Sequence, residues 1–472
     1  MNENNNRFND FDDEDRQLVI DFENTVLQGG MQFFDVDELE VIIDYYFEVN
    51  DQEPLRRAVE YAEQLYPDST TIRLRRAHLL IAQQQYEPAL RIIQELRRQE
   101  PDNTDVAYSL GVAYGAVGKS QKAIELYLEA AADGWMLGRV YANIAEEYYN
   151  QHQLDEAIRY YLLSLDTDSY DPTTLYNYLD TCVQARQVEG AVEYLKSFVG
   201  EHPYSCEAWH CLGIAYYDLG LFEQAVDAYE YALAIDKKRF DVYVDLSASQ
   251  EALGHVGDAV STMLRARDYT DNRARLYRLV AYIYVRAGNN ETAILYFRKA
   301  VEENPDDAEA HAALAIGYAV VEDTGNAMPH IKKALRLAPN DPEVLSSAGI
   351  IYDILGNFEA ASDYFERMVA CDDCTELQCQ RYTQFLYSNK AYDMLVDFAL
   401  ESLDIYPEHP FYSTYLVAAC FYTNRYNRAS RALPHVIPSL LRELCPEIFT
   451  HPRLAPLIPA DDETHDENTP KV

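Results

Sequence analysis

The chain has 472 residues, 48% of them apolar, enough to bury a substantial core in several domains or one long array. Its formal net charge of -40 repels phosphate backbones and anionic lipid, which disfavours nucleic-acid and membrane-surface partners and favours basic protein partners; the same acidity also keeps a large array soluble. No apolar run, Tyr415–Tyr422 included, is long enough to span a bilayer. No secretory apolar region opens the chain, and eight cysteines make no disulfide framework, so the expected location is cytoplasmic.

Residues 1–16 set Asp10, Asp12, Asp13, Glu14 and Asp15 against two arginines and are expected to be disordered. Leu18, Val19, Phe22 and Val26 then recur at helical spacing before Gly29 and Gly30, which predicts an N-terminal capping helix within 17–35.

From residue 36 the sequence repeats. The clearest copy is Cys206–Arg239, where Trp209, Leu212, Gly213, Tyr216, Gly220, Ala225, Tyr229 and Ala232 alternate small and large residues at fixed intervals. Stepping by 34 residues gives starts at 36, 70, 104, 138, 172, 206, 240, 274, 308, 342, 376 and 410, with no insertion or deletion. The twentieth position reads Leu55, Ala89, Ala123, Ala157, Ala191, Ala225, Ala259, Ala293, Ala327, Ala361, Leu395 and Ala429. A turn position carries Gly118, Gly220, Gly254, Gly288 and Gly356, and an inter-repeat position carries Pro67, Pro101, Pro203, Pro305, Pro339 and Pro407. Glycine ends a first helix and proline stops a second before the next repeat begins.

Over residues 36–443 the chain resembles the tetratricopeptide-repeat family, with twelve 34-residue repeats. Its acidic Asn/Asp-rich start before an uninterrupted array is also similar to repeat scaffolds of bacteria. The resemblance implies an all-α solenoid: antiparallel helix pairs wound into a right-handed superhelix, whose first helices line a concave groove. The first, fifth, eleventh and twelfth repeats depart from the pattern. In the fifth, Leu179 and Phe198 replace small residues, and the superhelix is expected to bend or loosen there. Residues 444–460 read as Pro-rich and irregular, and 461–472 as a disordered acidic tail.

Two motifs suggest chemistry. Residues 113–120 end in Gly118, Lys119 and Ser120 and fit a loose phosphate-loop pattern. That loop needs a preceding strand, whereas here Ala113 and Tyr114 belong to a first helix and Gly118 to a repeat turn, so no nucleotide cofactor is expected. Cys371, Cys374 and Cys379 could bind metal or exchange disulfides, although no second ligand pair follows, and a polar inter-repeat loop with incidental thiols is the leading account of them. No other residues suggest catalysis, and the chain is read as non-enzymatic.

Positions 2, 5, 9, 12 and 13 of each repeat share one face of the first helix, the face that the resemblance turns into the groove. They carry many acids and aromatics, and few cations. The candidate binding residues are Tyr108, Tyr149, Tyr176, Glu207, His210, Tyr217, Asp218, Arg275, Arg278 and Tyr282. Tyrosine gives rigid contact area with a hydroxyl, and acids among tyrosines suit a Lys- or Arg-bearing segment. The tyrosines could equally pack between helices, and the arginines could hold a partner's carboxylate or pair with Glu251, Asp241 or Glu309 of neighbouring repeats. Some family members grip carboxylate tails with lysine and asparagine at positions 5 and 9 of one repeat, a pair no repeat here contains. The sequence thus points to a scaffold for protein or peptide segments, without cofactor, metal, nucleic acid or membrane insertion. A metal- or redox-responsive module at the three cysteines is the alternative.

Overall fold

Helices of this length are marginal in isolation, and each becomes stable by burying an apolar stripe against its neighbours. In the computed structural model the described residues are 13–26, 28–167 and 171–459. The expectations for residues 1–12 and for the acidic tail 461–472 lie outside them. Among the described residues there is no strand, and the helices follow one another as antiparallel pairs. The chain divides into two compact units, 1–249 and 250–472, with the division inside the helix Phe240–Ala252.

In the first unit, α1 (Asp13–Thr25) precedes the pairs α2 (Val36–Glu48) and α3 (Gln52–Leu65), α4 (Thr70–Ala82) and α5 (Tyr86–Gln99), and α6 (Thr104–Ala116) and α7 (Ser120–Ala132). There follow α8 (Leu137–Asn150) and α9 (Leu154–Leu165), α10 (Thr173–Gln184) and α11 (Val188–Glu201), α12 (Cys206–Asp218) and α13 (Phe222–Ile235), and then α14 (Phe240–Ala252). The second unit continues with α15 (Val256–Arg265), α16 (Arg273–Arg286) and α17 (Asn290–Glu303), α18 (Ala308–Val320) and α19 (Thr324–Leu337), and α20 (Pro342–Ile354) and α21 (Phe358–Val369). It ends with α22 (Glu376–Ser388) and α23 (Tyr392–Ile405), α24 (Pro410–Tyr422) and α25 (Tyr426–Ala432), and α26 (Pro438–Leu444).

Every first helix starts within one residue of the 34-residue register. The start is set by the cap: Ser69, Asn103, Ser205, Asp307 and Asp341 each accept a backbone N–H from the first turn. At the fifth repeat Asp171 stands in that place and accepts the Thr173 N–H at 2.8 Å, but Pro172 lies between them, and α10 begins one residue late. The twelve residues of the twentieth position are all at most 1% exposed, Leu55 and Leu395 included, so this position is the seam between the paired helices. Close approach is enforced at Gly213, where a Cβ would lie 2.4 Å from the ring of Tyr229.

α1 begins at Asp13, inside the stretch expected to be disordered. Its acidic first residues favour a helix N-terminus. Val19, Phe22 and Val26, with Phe34, close the apolar face of α2 and α3. At the other end, residues 438–457 are more ordered than their prolines suggested. α26 and two short 3-10 turns, Pro446–Thr450 and Ala455–Leu457, bury Leu441, Cys445, Ile448 and Leu454 against Leu416, Ala419 and Leu433. The prolines cut this segment into single turns that the repeat period could not foretell.

Candidate functional site

Successive first helices lie side by side, and their stagger follows one rule. A side chain at position i meets residues 31 and 35 further on, which are one helical turn apart. Tyr149 shows both contacts: its hydroxyl donates to Asp180 Oδ2 at 2.9 Å and also meets the Gln184 amide, which itself reaches Asp180 at 3.0 Å. The same offsets join Arg75 to Glu40, His78 to Ser109, Asn143 to Tyr108, His210 to Asp245, Arg278 to Glu309 and Arg286 to Glu251.

Within the first unit the face begins with Arg75 of α4, held by Glu40 and by Asp44 at 2.8 Å. Burial pushes Glu40, Asp44 and Asp105 above the usual carboxylate range, with Arg75 opposing it. His78 Nε2 lies 3.0 Å from the Ser109 hydroxyl, and burial with the nearby Arg75 and Arg139 charges pushes its imidazole down to about 4. Tyr108, a predicted contact residue, is instead core: its ring packs on Trp135 and Tyr127, and only its hydroxyl is engaged outward, accepting from Asn143 at 2.8 Å.

Further along the unit a cavity of about 190 Å³ opens between α8 and α10. Glu146, Tyr149 and Asn150 of α8, Tyr161 of α9, and Asn177, Asp180 and Thr181 of α10 line it. Tyr161 was not among the sequence candidates, because it belongs to a second helix and reaches the cavity from behind. Burial and the Glu147 carboxylate push Glu146 above the usual range.

Tyr176, Glu207 and His210 are brought together beside it. The Tyr176 hydroxyl lies 3.0 Å from His210 Nδ1, and His210 Nε2 lies 2.7 Å from Asp245 Oδ2. A carboxylate only accepts, so Nε2 donates to Asp245. Arg239 clamps the group, donating to the Tyr176 hydroxyl at 2.8 Å, to Glu207 at 3.2 Å and to both Asp241 oxygens at 3.0 and 2.6 Å. Burial pushes Asp241 up, but hydrogen bonds and charge from Arg239 outweigh it and hold the carboxyl low. His210 is 3% exposed and already satisfied, so it organises the face from within. Arg239 and Asp245 escaped the sequence reading because they occupy positions 34 and 6, off the five positions taken as the face. The 35-residue offset from His210 was the signal that would have found Asp245. Tyr217 and Asp218 sit apart from this network, exposed at the end of α12, with Tyr217 edge-on to Phe222.

In the second unit, Arg278 pairs with Glu309, with Asp307 at 3.9 Å, and Arg286 pairs with Glu251 at 2.7 Å. The arginines thus take the intramolecular alternative. Arg275 lies in the first turn of α16, its N–H bonded to the capping Asn272, and Tyr282 packs edge-on against Phe297. Glu343 receives Arg381 at 3.4 Å and Gln378 at 3.2 Å.

The cysteines are arranged otherwise than their spacing suggested. Cys374 approaches Cys379 at 3.7 Å between sulfurs, while the Cys371 thiol donates to the Asn340 and Arg367 carbonyls at 3.3 Å. Burial pushes the Cys374 thiol up to about 12 and raises the other two, which works against a reactive thiolate. Among the described residues no group of three or more His, Cys, Asp or Glu side chains is placed to hold a metal ion. Lys119 caps no phosphate loop: Gly118, at φ +70°, turns α6 directly into α7.

Stacked helix pairs that present a polar and aromatic face within each unit define a helical-repeat scaffold for protein–protein interaction. Family models described as tetratricopeptide repeat match residues 52–113, 138–171, 206–239 and 274–317. These four stretches of the chain are thus tetratricopeptide repeats. It is 23% identical over 380 residues to the TPR repeat-containing protein YpiA of Bacillus subtilis, covering 73% of this chain and 81% of that protein. Matches to two further relatives cover 12% and 18% of their lengths. Among solved structures, the Cut9–Hcn1 hetero-tetramer of the APC/C aligns over 86% of this chain and 94% of that one, at 14% identity and TM-score 0.34. IFIT1 with m7Gppp-AAAA aligns over 73% and 94%, at 16% identity and TM-score 0.34. No helix among the described residues is long and apolar enough to cross a membrane.

Proposed function

We propose that the chain is a non-enzymatic cytoplasmic scaffold that binds basic protein or peptide segments along its first-helix face. The observation that carries this reading is how the charges on that face are spent. Its arginines Arg75, Arg278 and Arg286 are already held by the protein's own acids, whereas Glu146 and Asp180 open onto a cavity with no cation among the described residues that line it. Tyrosine hydroxyls among these acids supply directional hydrogen bonds at small entropic cost. The net charge of -40 strengthens attraction for cationic segments at low ionic strength and opposes phosphate-bearing ligands.

The test is fluorescence anisotropy with labelled peptides of equal length, one rich in lysine and arginine, one neutral and one acidic, beside a short RNA. The basic peptide is expected to bind, more weakly as salt is raised, while the acidic peptide and the RNA do not. Equal binding of the acidic peptide or of RNA would overturn the reading.

A second reading keeps the cysteines. The 3.7 Å approach of Cys374 and Cys379 narrows a thiol-responsive module to that pair. Treatment with the thiol oxidant diamide, followed by peptide mapping, tests whether those two residues cross-link before the other cysteines.

A further inference from the structure

The cavity between α8 and α10 has the chemistry of one particular head group. Tyr161 is only 3% exposed and lines the cavity, and its hydroxyl makes no hydrogen bond to another described residue. Around it stand the carboxylates of Glu146 and Asp180, the Tyr149 hydroxyl and the Asn177 amide. Tyr149 already donates its proton to Asp180 and accepts from the Gln184 amide, so its hydroxyl has one lone pair left to offer and no proton. Nearly every group facing the space can accept a hydrogen bond, and two carry negative charge. An anion would be repelled and an apolar group would leave the acceptors unpaired.

The acceptors arrive from three helices and surround a compact group from several sides. That suits the three tetrahedral donors of an ammonium better than the flat fork of a guanidinium. A space of about 190 Å³ admits one alkyl chain with such a head.

We propose that this cavity is a subsite for a primary ammonium group, supplied by a lysine side chain of a bound polypeptide. The inference rests on the reading of the first-helix face as a surface for basic segments. It adds the residue type and the place: the ammonium sits between Glu146 and Asp180 and donates to Tyr161, which closes the floor.

The probes are acetyl-tetralysine amide, its Nε-acetylated form, the tetra-arginine equivalent and spermidine, each titrated calorimetrically into the full chain. The variants are Tyr161→Phe, which removes only an unpaired hydroxyl, and Asp180→Asn. Wild type is expected to bind tetralysine, and each variant to bind it about tenfold more weakly, the loss of one hydrogen bond to a charged group, with Tm unchanged. The acetylated peptide is expected not to bind. If wild type binds tetralysine and both variants bind it as well, the cavity is not the subsite, while the basic-segment reading stands. If wild type binds none of the probes, that reading falls and takes the subsite with it. Tetra-arginine binding as tightly as tetralysine would overturn the ammonium assignment. Spermidine binding as tightly as tetralysine, with the same losses in the variants, would overturn the polypeptide source.

Discussion

The most connected cation on the candidate face is Arg239, whose guanidinium joins Tyr176, Glu207 and Asp241 across three repeats. Replacing it with methionine keeps most of the stem but leaves Glu207 and Asp241 side by side without a counter-charge. Arg239→Met is expected to cost about 2 kcal/mol, read as a lower urea midpoint; an unchanged midpoint would mean the clamp is incidental. His78 gives a pH signature. Its folded pKa, about 4, lies below the usual histidine value, so the unfolded chain takes up its proton first as the pH falls. Its contribution is present above about pH 6.5 and is lost as the pH falls towards 4. Glu40, Asp44 and Asp105 are raised and act in the opposite sense over the acidic end of that range. A comparison with His78→Gln isolates the histidine: the variant should lose less stability than wild type between pH 7 and pH 4.5, by urea melts at each pH. At this scale the sequence was legible for residue type and less so for partners. Tyr176, Glu207 and His210 do converge, but Arg239, Asp245 and Tyr161 were hidden, because the stagger of neighbouring helices and reach from a second helix are properties of stacking, not of one helix's periodicity.

Among the elements, the turn between first and second helices is the most regular feature. Its fifteenth-position residue has positive φ in every repeat: Asn50, Gln84, Gly118, His152, Arg186, Gly220, Gly254, Gly288, Glu322, Gly356, Lys390 and Asn424. Only five are glycine, and a side chain in the left-handed region costs roughly 1 kcal/mol. Glu322→Gly is therefore expected to stabilise by about 0.5 kcal/mol after the added freedom of the unfolded chain is deducted. A lower Tm in that variant would show that the Glu322 side chain has a role the backbone does not reveal. The helices themselves were readable almost to the residue, since burial at the twentieth position and the caps before most first helices recur with the same period. The exceptions are chemical. Pro172 follows the Asp171 cap and delays α10, while α8, preceded by Met136 at positive φ, and α16, capped by Asn272, each begin one residue early.

For the whole molecule, charge is the dominant sequence-level quantity. A net charge of -40 on a folded chain is self-repulsive, and that repulsion eases in the more expanded unfolded state. Added sodium chloride screens it, so Tm is expected to rise between 20 and 300 mM salt, by scanning calorimetry. A fall would mean that the ion pairs between first helices outweigh the global repulsion. A stack of like modules is in principle an open polymer, since each new pair presents the surface that the next would need. Here that growth is stoppered by segments that break the period. At one end α1 lays Val19 and Phe22 over the first pair, and at the other Leu441, Cys445, Ile448 and Leu454 occupy the place of a following pair. Removal of residues 437–472 should bare Leu416 and Leu433 and turn that end into a sticky one, seen as concentration-dependent association in sedimentation that the full chain does not show. The length of the array is thus fixed as that of a capped oligomer is, by terminators that no further monomer can add to without first displacing them.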